Sequence, residues 1–309
     1  MRGQSMETKR LIEYACNMLE EDHPMTLRQL HYAIFSRNQV DYNNTMADYK
    51  RLSRATTVAR RAHRAWELAG EGGLRPAFSI PSSWMVDETR EGQMVSVWKD
   101  KDEYVETVKR AYRRDNWQDQ VNYCEVWSEK ATILGSVRPV ADEYGITLRV
   151  CHGFGSTGME SDIGSRFEDL FHKRITVFYL GDHDPSGHVI EQDMHQRVQT
   201  ASGVRFSMVR LAIHPEDIER FNLPPQTIKK SDSRAASFRK RFGQDASTVE
   251  LDALPASVLR DRIEAAVSGL IDKESWNRQI EVQAMEMDCI RGFAERVQNL
   301  PQVNPKVAL

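Results

Sequence analysis

Cysteine is scarce in this chain. Four are scattered through 309 residues, Cys16, Cys124, Cys151 and Cys289, too far apart for a CxxC zinc pair and too few for a disulfide framework at this length. They read as buried thiols in a reducing compartment. Long apolar runs are missing too. None approaches the roughly 18 residues needed to cross a bilayer, and the opening MRGQSMETKR carries no apolar signal core. The expectation is a cytoplasmic protein with no membrane partner. There is no internal repeat, no low-complexity tract and no GxxxxGK[ST] phosphate loop, so any ATP-driven step would need a separate ATPase partner. The net charge of −3 excludes a chain that is basic throughout, although an average of this kind conceals local patches.

Hydrophobic content of 40% and charged content of 28% fit an ordinary folded protein. The length allows two or three domains. Residues 6–69 are patterned as three short helices separated by EEDHPMT and RNQVDYNNT, which suggests a helix-turn-helix or winged-helix DNA-binding domain over residues 1–70. Residues 71–118 read as a linker and a charged connecting helix. From residue 119 to 309, short apolar strands alternate with amphipathic helices and two further helices follow. This is the pattern of an α/β domain, a parallel sheet flanked by helices, with a C-terminal helical extension.

Two strands end in acids. VFYLGDHDPSGHVI carries Asp182 and Asp184, which project to one side if extended geometry persists past Leu180. Paired carboxylates there repel one another unless they bind a cation, and hard cations such as Mg2+ take carboxylate oxygens together with water and phosphate. In YCEVWSEKATILG, Glu129 follows another apolar strand. Adjacent strands lie about 4.8 Å apart, so the three acids can share one ion if these strands are neighbours. The plain alternative is that each acid sits in a helix first turn, where the macrodipole favours it. His183, between the two aspartates, should face the other way. GFGSTG at residues 153–158 satisfies GxGxxG, but a dinucleotide site would leave Asp184, Glu129 and the N-terminal helices without a role. These glycines instead suit a loop approaching a metal or a phosphate.

In TLRQLHYAIFSR, Thr26 is a suitable N-cap. Leu27, Leu30 and Ile34 cluster on one helix face, while Tyr32 lies about 140° from Leu27 and should fall off the core stripe. Arg28, one turn earlier, brings a guanidinium beside the Tyr32 phenol. A phenol of ordinary pKa near 10 attacking a phosphodiester would profit from that cation and from a metal.

Basic residues are gathered in YKRLSRATTVARRAHRAW, where Lys50, Arg51, Arg54, Arg60, Arg61 and Arg64 have no acid among them. Leu52, Ala55, Ala59, Ala62 and Trp66 share the opposite face, so one side packs and the other is a cationic rail for phosphates. Lys229, Lys230, Arg234, Arg239, Lys240 and Arg241 form a second cluster, either a second grip on the same duplex or a flexible solvated loop. The expected partner is DNA, bound largely without sequence preference.

The SEK after one strand and the GDHDPSG after another resemble the Toprim fold. With the N-terminal helices and ELDAL at residues 250–254, the chain resembles the topoisomerase VI A subunit and its meiotic double-strand-break relatives. That resemblance implies an α/β Toprim domain preceded by a mainly helical winged-helix domain, and Mg2+-dependent cleavage of DNA by a topoisomerase-like enzyme. It implies Mg2+, or Mn2+ in its place, on Asp182 and Asp184, with Glu129 as a metal ligand or a proton-transfer group. It implies attack by Tyr32 with Arg28 beside it, although His31 stands where the family often has another aromatic residue. It also implies a homodimer in which one subunit's tyrosine meets the other's metal site. Related Toprim nucleases lack the tyrosine and cut hydrolytically, and recombination mediators keep the fold as non-catalytic DNA-binding proteins. Both remain as alternatives. Priming is disfavoured by the missing zinc-binding cysteines.

Overall fold

The computed structural model describes residues 6–70, 75–86, 96–151, 157–228 and 232–301. Helices α1 (Met6–Glu21), α2 (Leu27–Arg37) and α3 (Met46–Leu68) fall where the turn-rich separators put them. Thr26 and Gln29 start α2 with a reciprocal capping box, which satisfies two of the amides a helix start leaves unpaired. Asn38 ends the helix in the left-handed region at φ 46°, which asparagine tolerates better than most residues. Leu11, Ala15 and Leu19 of α1, Leu30 and Ile34 of α2, and Leu52 of α3 close one apolar core. Strands β1 (Met25–Thr26) and β2 (Met85–Val86) add a short parallel pair to it.

After α4 (Lys101–Ala111) the chain alternates strand and helix through β3 (Asn122–Ser128), α5 (Leu134–Tyr144), β4 (Thr147–Val150), α6 (Thr157–Asp169), β5 (Arg174–Leu180), α7 (Pro185–Ser202) and β6 (Ser207–Ala212). The four strands form one sheet in the order β4-β3-β5-β6, with β3 parallel to β4 and β5 parallel to β6. The fold is mixed α/β, a parallel sheet flanked by helices. Its core joins Trp127 and Tyr179 from the sheet to Ile163 and Phe167 of α6 and Met194 and Val198 of α7. Glu125 is fully buried in the same layer. It is tolerated because Tyr123 and Trp127 donate to its two oxygens at 2.8 and 2.7 Å and Arg149 and Arg166 lie at 3.5 and 3.4 Å.

Helices α8 (Pro215–Arg220), α9 (Ala235–Phe242), α10 (Ala256–Ser268) and α11 (Lys273–Gln298) follow. The TVELDAL stretch is not a sheet strand. Thr248 and Val249 make isolated antiparallel bridges to Gln226 and His183, and Leu251–Ala253 then form a tight turn. Among the described residues, no helix is long and apolar enough to cross a membrane.

The chain divides into two compact units, Met1–Glu91 with Tyr123–Gly269, and Gly92–Asn122 with Leu270–Leu309. In the second, α4 packs along α11. Arg114 pairs with Glu286 at 2.6 Å and the rings of Trp117 and Trp276 meet edge to face. The first unit holds both the N-terminal helices and the sheet. Gln29 of α2 donates to Ser136 of α5 at 3.1 Å, and Arg260 of α10 donates to the carbonyls of Pro24 and Ser136 at 3.2 and 2.9 Å while pairing with Asp22. Arg260→Ala strands a largely buried carboxylate, and a loss of about 3–5 kcal/mol is expected. An unchanged urea midpoint would show that this junction contributes nothing.

Candidate active site at the strand ends

Strands β3 and β5 are neighbours, so the acids that follow them meet at one edge. The Glu129 amide donates to the Leu180 carbonyl at 2.9 Å, continuing the pairing one residue past the strand. Its side chain does not enter a helix first turn. Glu129 Oε2 instead accepts from the Asp182 amide at 3.1 Å, bending the carboxylate across onto the loop after β5. Asp184 does act as a helix cap, as the plain alternative expects, with Oδ1 accepting from the Gly187 amide at 2.6 Å at the start of α7. Asp182 is buried, and its Oδ1 accepts from the Leu251 amide at 2.7 Å and lies 3.0 Å from the Lys130 ammonium.

Gly187 is required by this crowding. A Cβ there would stand 2.5 Å from the Asp182 carbonyl and 2.9 Å from Glu129 Oε2. Arg210, itself buried to 8% exposure of its side chain, staples the same loop. It donates to the carbonyls of Gly181, Asp182 and Gly187 at 3.0, 3.1 and 3.2 Å and pairs with Glu191 at 2.8 Å. The acidic loop is therefore held from both sides.

Three residues that the sequence reading left out of the site enter it. Lys130 reaches Asp252 at 3.1 Å and Glu250 at 3.4 Å as well as Asp182. Burial works against its charge, but Asp252, Asp182 and Glu250 outweigh that cost and hold the ammonium above its ordinary pKa. Glu250 also pairs with Arg28. A cavity of about 170 Å3 is lined by Asp182, Asp184, Glu250 and Asp232 together with Gln226 and Thr248. Glu250 and Asp252 repeat the acid-x-acid spacing of Asp182 and Asp184, a signal that was open to sequence inspection.

The carboxylates outnumber the cations, and Glu129 registers it. Burial, then the charges of Asp182 and Asp184, push its carboxyl up to about 7. Burial also raises Asp182, although Lys130 opposes the shift. In donor chemistry the set fits a hard cation. Glu129, Asp182 and Asp184 each commit one oxygen to the protein, and the other makes no hydrogen bond or ion pair among the described residues. As they stand, no three His, Cys, Asp or Glu side chains among the described residues converge closely enough to hold a metal. Side-chain rotation would have to close the set.

His183 does turn away. It meets His188 and Phe242 edge to face and Phe238 at a tilt, and its Nδ1 lies 3.1 Å from His188 Nε2. Burial, then the nearby Arg210 charge, lowers His183 to about 4 and His188 to about 3, so both rings are uncharged at neutral pH.

Arg28 lies beside Tyr32 as the helical spacing requires, with Nη2 at 3.5 Å from the phenol oxygen. Tyr32 stands outside the α1–α3 core cluster, off the core stripe as the helical wheel expects, and it is nonetheless only 3% exposed. Tyr32 shares a cavity of about 160 Å3 with Arg28, Asn44, Thr45, Met46 and Tyr49, and a wheel drawn for one helix contains no information on that loop. Burial, then the Glu250 charge, raises the phenol above its ordinary pKa despite Arg28.

On α3, Arg54, Arg61 and Arg64 are exposed, Arg60 is half-buried, and Lys50 is exposed on the same side. Arg64 pairs with Glu67 at 3.0 Å. Arg51 is drawn inward, pairing with Asp48 at 2.9 Å and donating to the Asp41 carbonyl at 2.6 Å. Lys229 and Lys230 lie outside the described residues, as do residues 152–156 of the glycine loop. Arg234 pairs with Asp232 at 3.0 Å. Arg239 lies on α9, whose Phe238 and Phe242 dock on His183 and His188, so this stretch is an anchored helix and not a solvated loop. No protein-family model matches the chain, and no curated protein does.

The raised Glu129 pKa has a definite sign. The folded state binds the extra proton between the ordinary carboxyl value and about 7, so stability falls as pH rises through that window. In chelator, Glu129→Gln should therefore be more stable than the parent at pH 8, on the order of 2 kcal/mol. The difference should vanish near pH 4.5. A difference independent of pH would contradict the crowding described above.

Proposed function

We propose that this chain is a Mg2+-dependent enzyme that cleaves DNA phosphodiester bonds. In this reading the sheet unit is a Toprim domain and helices α1–α3 are the body of a winged-helix module, as in the topoisomerase VI A subunit. One observation carries it. Within a single compact unit, contacts run from Tyr32 to Arg28, to Glu250, to Lys130 and to Asp182. The proposed nucleophile and the proposed metal ligands are thus linked through two ion-paired cations.

Asp182, Asp184 and Glu129 would hold Mg2+, with Mn2+ as a substitute. When bound, the ion supplies charge neutralisation for the phosphodiester oxygens. Without the ion the Glu129 carboxyl sits at about 7; Glu129 would serve either as a metal ligand or, if left uncoordinated, as the group that accepts and donates the proton. In the transesterification reading, the Tyr32 oxygen bonds to phosphorus and loses its proton, and the departing deoxyribose oxygen gains one. Arg28 stabilises the phenolate. The competing reading is hydrolysis, in which water supplies the attacking oxygen and Glu129 takes its proton. The burial of Tyr32 and the engagement of Arg28 by Glu250 favour it.

DNA would lie along α3. Lys50, Arg54, Arg61 and Arg64 recur on one face over about 21 Å of helix, a row matched to phosphates rather than to base edges. A homodimer and a separate ATPase belong to the same proposal through the family resemblance, although here Tyr32 is linked to the acids of its own chain, where the resemblance implies those of the partner.

Incubating the protein with Mg2+ and end-labelled plasmid DNA, then denaturing, separates the readings. Label bound to protein and lost in Tyr32→Phe means transesterification. Free ends in both variants mean hydrolysis. Cleavage that survives Asp182→Ala with Asp184→Ala would overturn the assignment. For binding, Arg54→Ala and Arg61→Ala should each weaken every DNA sequence alike and reduce the slope of log K against log salt by about one. An unchanged slope would remove α3 from the interface.

A further inference from the structure

Among the described residues, Lys130 is the one cation in the acidic cleft that touches acids from both loops, Asp182 after β5 and Glu250 and Asp252 near the turn at 251–253. Its ammonium is fixed by its place in the chain. It directly follows Glu129, and Glu129 is pinned to the Leu180 carbonyl and the Asp182 amide. Asp252 is 1% exposed and also accepts from Thr132 at 3.0 Å, so it cannot retreat to water. Only one oxygen is left over on each of Glu129, Asp182 and Asp184, because Oε2, Oδ1 and Oδ1 are committed to protein amides or to Lys130.

Three spare oxygens, one per side chain, suit a single hard cation completed by water and phosphate. A second divalent ion would need Asp182 Oδ1, Glu250 and Asp252, and the Lys130 ammonium already stands among those three. We infer that Lys130 is the built-in second positive centre of this site, and that it limits the cleft to one divalent cation per chain. The inference rests on the proposal that the strand-end acids bind a metal. Lys130 acts here as a positioning residue: it sets the charge and the orientation of Asp182 without touching the ion.

The test is Mn2+ stoichiometry on the full chain, read from the electron paramagnetic resonance signal of the unbound ion. Stoichiometry is counted as the difference from an Asp182→Asn, Asp184→Asn double variant, so that surface binding cancels. The parent should bind one ion, Lys130→Arg one, and Lys130→Met two. If Lys130→Met loses its circular dichroism signature, Lys130→Gln, which keeps a polar group against Asp182 and Asp252 without the charge, carries the same expectation. Two ions on the parent, or one on both the parent and the neutral variant, would overturn the role of Lys130 alone. No ion on the parent would overturn the metal reading and this inference with it.

Discussion

A single ammonium held among carboxylates is the constraint on which the strand-end region depends. Lys130 touches Asp182, Glu250 and Asp252, and Arg28 shares Glu250 from the other side. Buried like charges are costly unless compensated, and two cations do not compensate five acids. Burial and the shortfall together are expressed at Glu129, which like Asp184 has no cation at ion-pairing distance among the described residues, as a carboxyl raised to about 7. In a functional site, such a shift marks where positive charge is wanted.

The scaffold keeps that strained arrangement from relaxing. Placing β3 beside β5 brings Glu129 to Asp182. Gly187 admits the close approach and Arg210 ties down the carbonyls of the loop. The backbone exchange between His183 and Val249, at 2.9 and 3.0 Å, brings the Glu250 and Asp252 segment alongside. Behind it, the Phe238 and Phe242 rings of α9 seal the two neutral histidines. The loop acids are consequently carried on elements that are rigid on three sides, which is the condition for a preorganised polar site.

Much of this was legible in the sequence. Alternating apolar runs and amphipathic stretches gave the strands and helices, and acids directly after two strands gave Glu129, Asp182 and Asp184. What escaped depends on contacts between distant residues. Lys130 was in plain view within SEK, yet its meaning comes from Glu250 and Asp252, 120 and 122 positions away. Tyr32 is buried beside a cavity it shares with residues 44–46 and 49, which helical periodicity within α2 does not encode. Arg51 looked like one more member of the cationic rail until Asp48 and the Asp41 carbonyl claimed it. Periodicity reports on one element and its core side, whereas pairing of charges is a property of the assembled chain.

The central claim is that the charge shortfall at the ends of β3 and β5 is made up by a divalent cation. Anomalous diffraction from crystals soaked in Mn2+ tests it most directly. The expected result is a peak within coordination distance of Glu129, Asp182 and Asp184, with those three side chains rotated to meet it. Full occupancy elsewhere on the surface, with the three carboxylates unmoved and no peak between them, would contradict it.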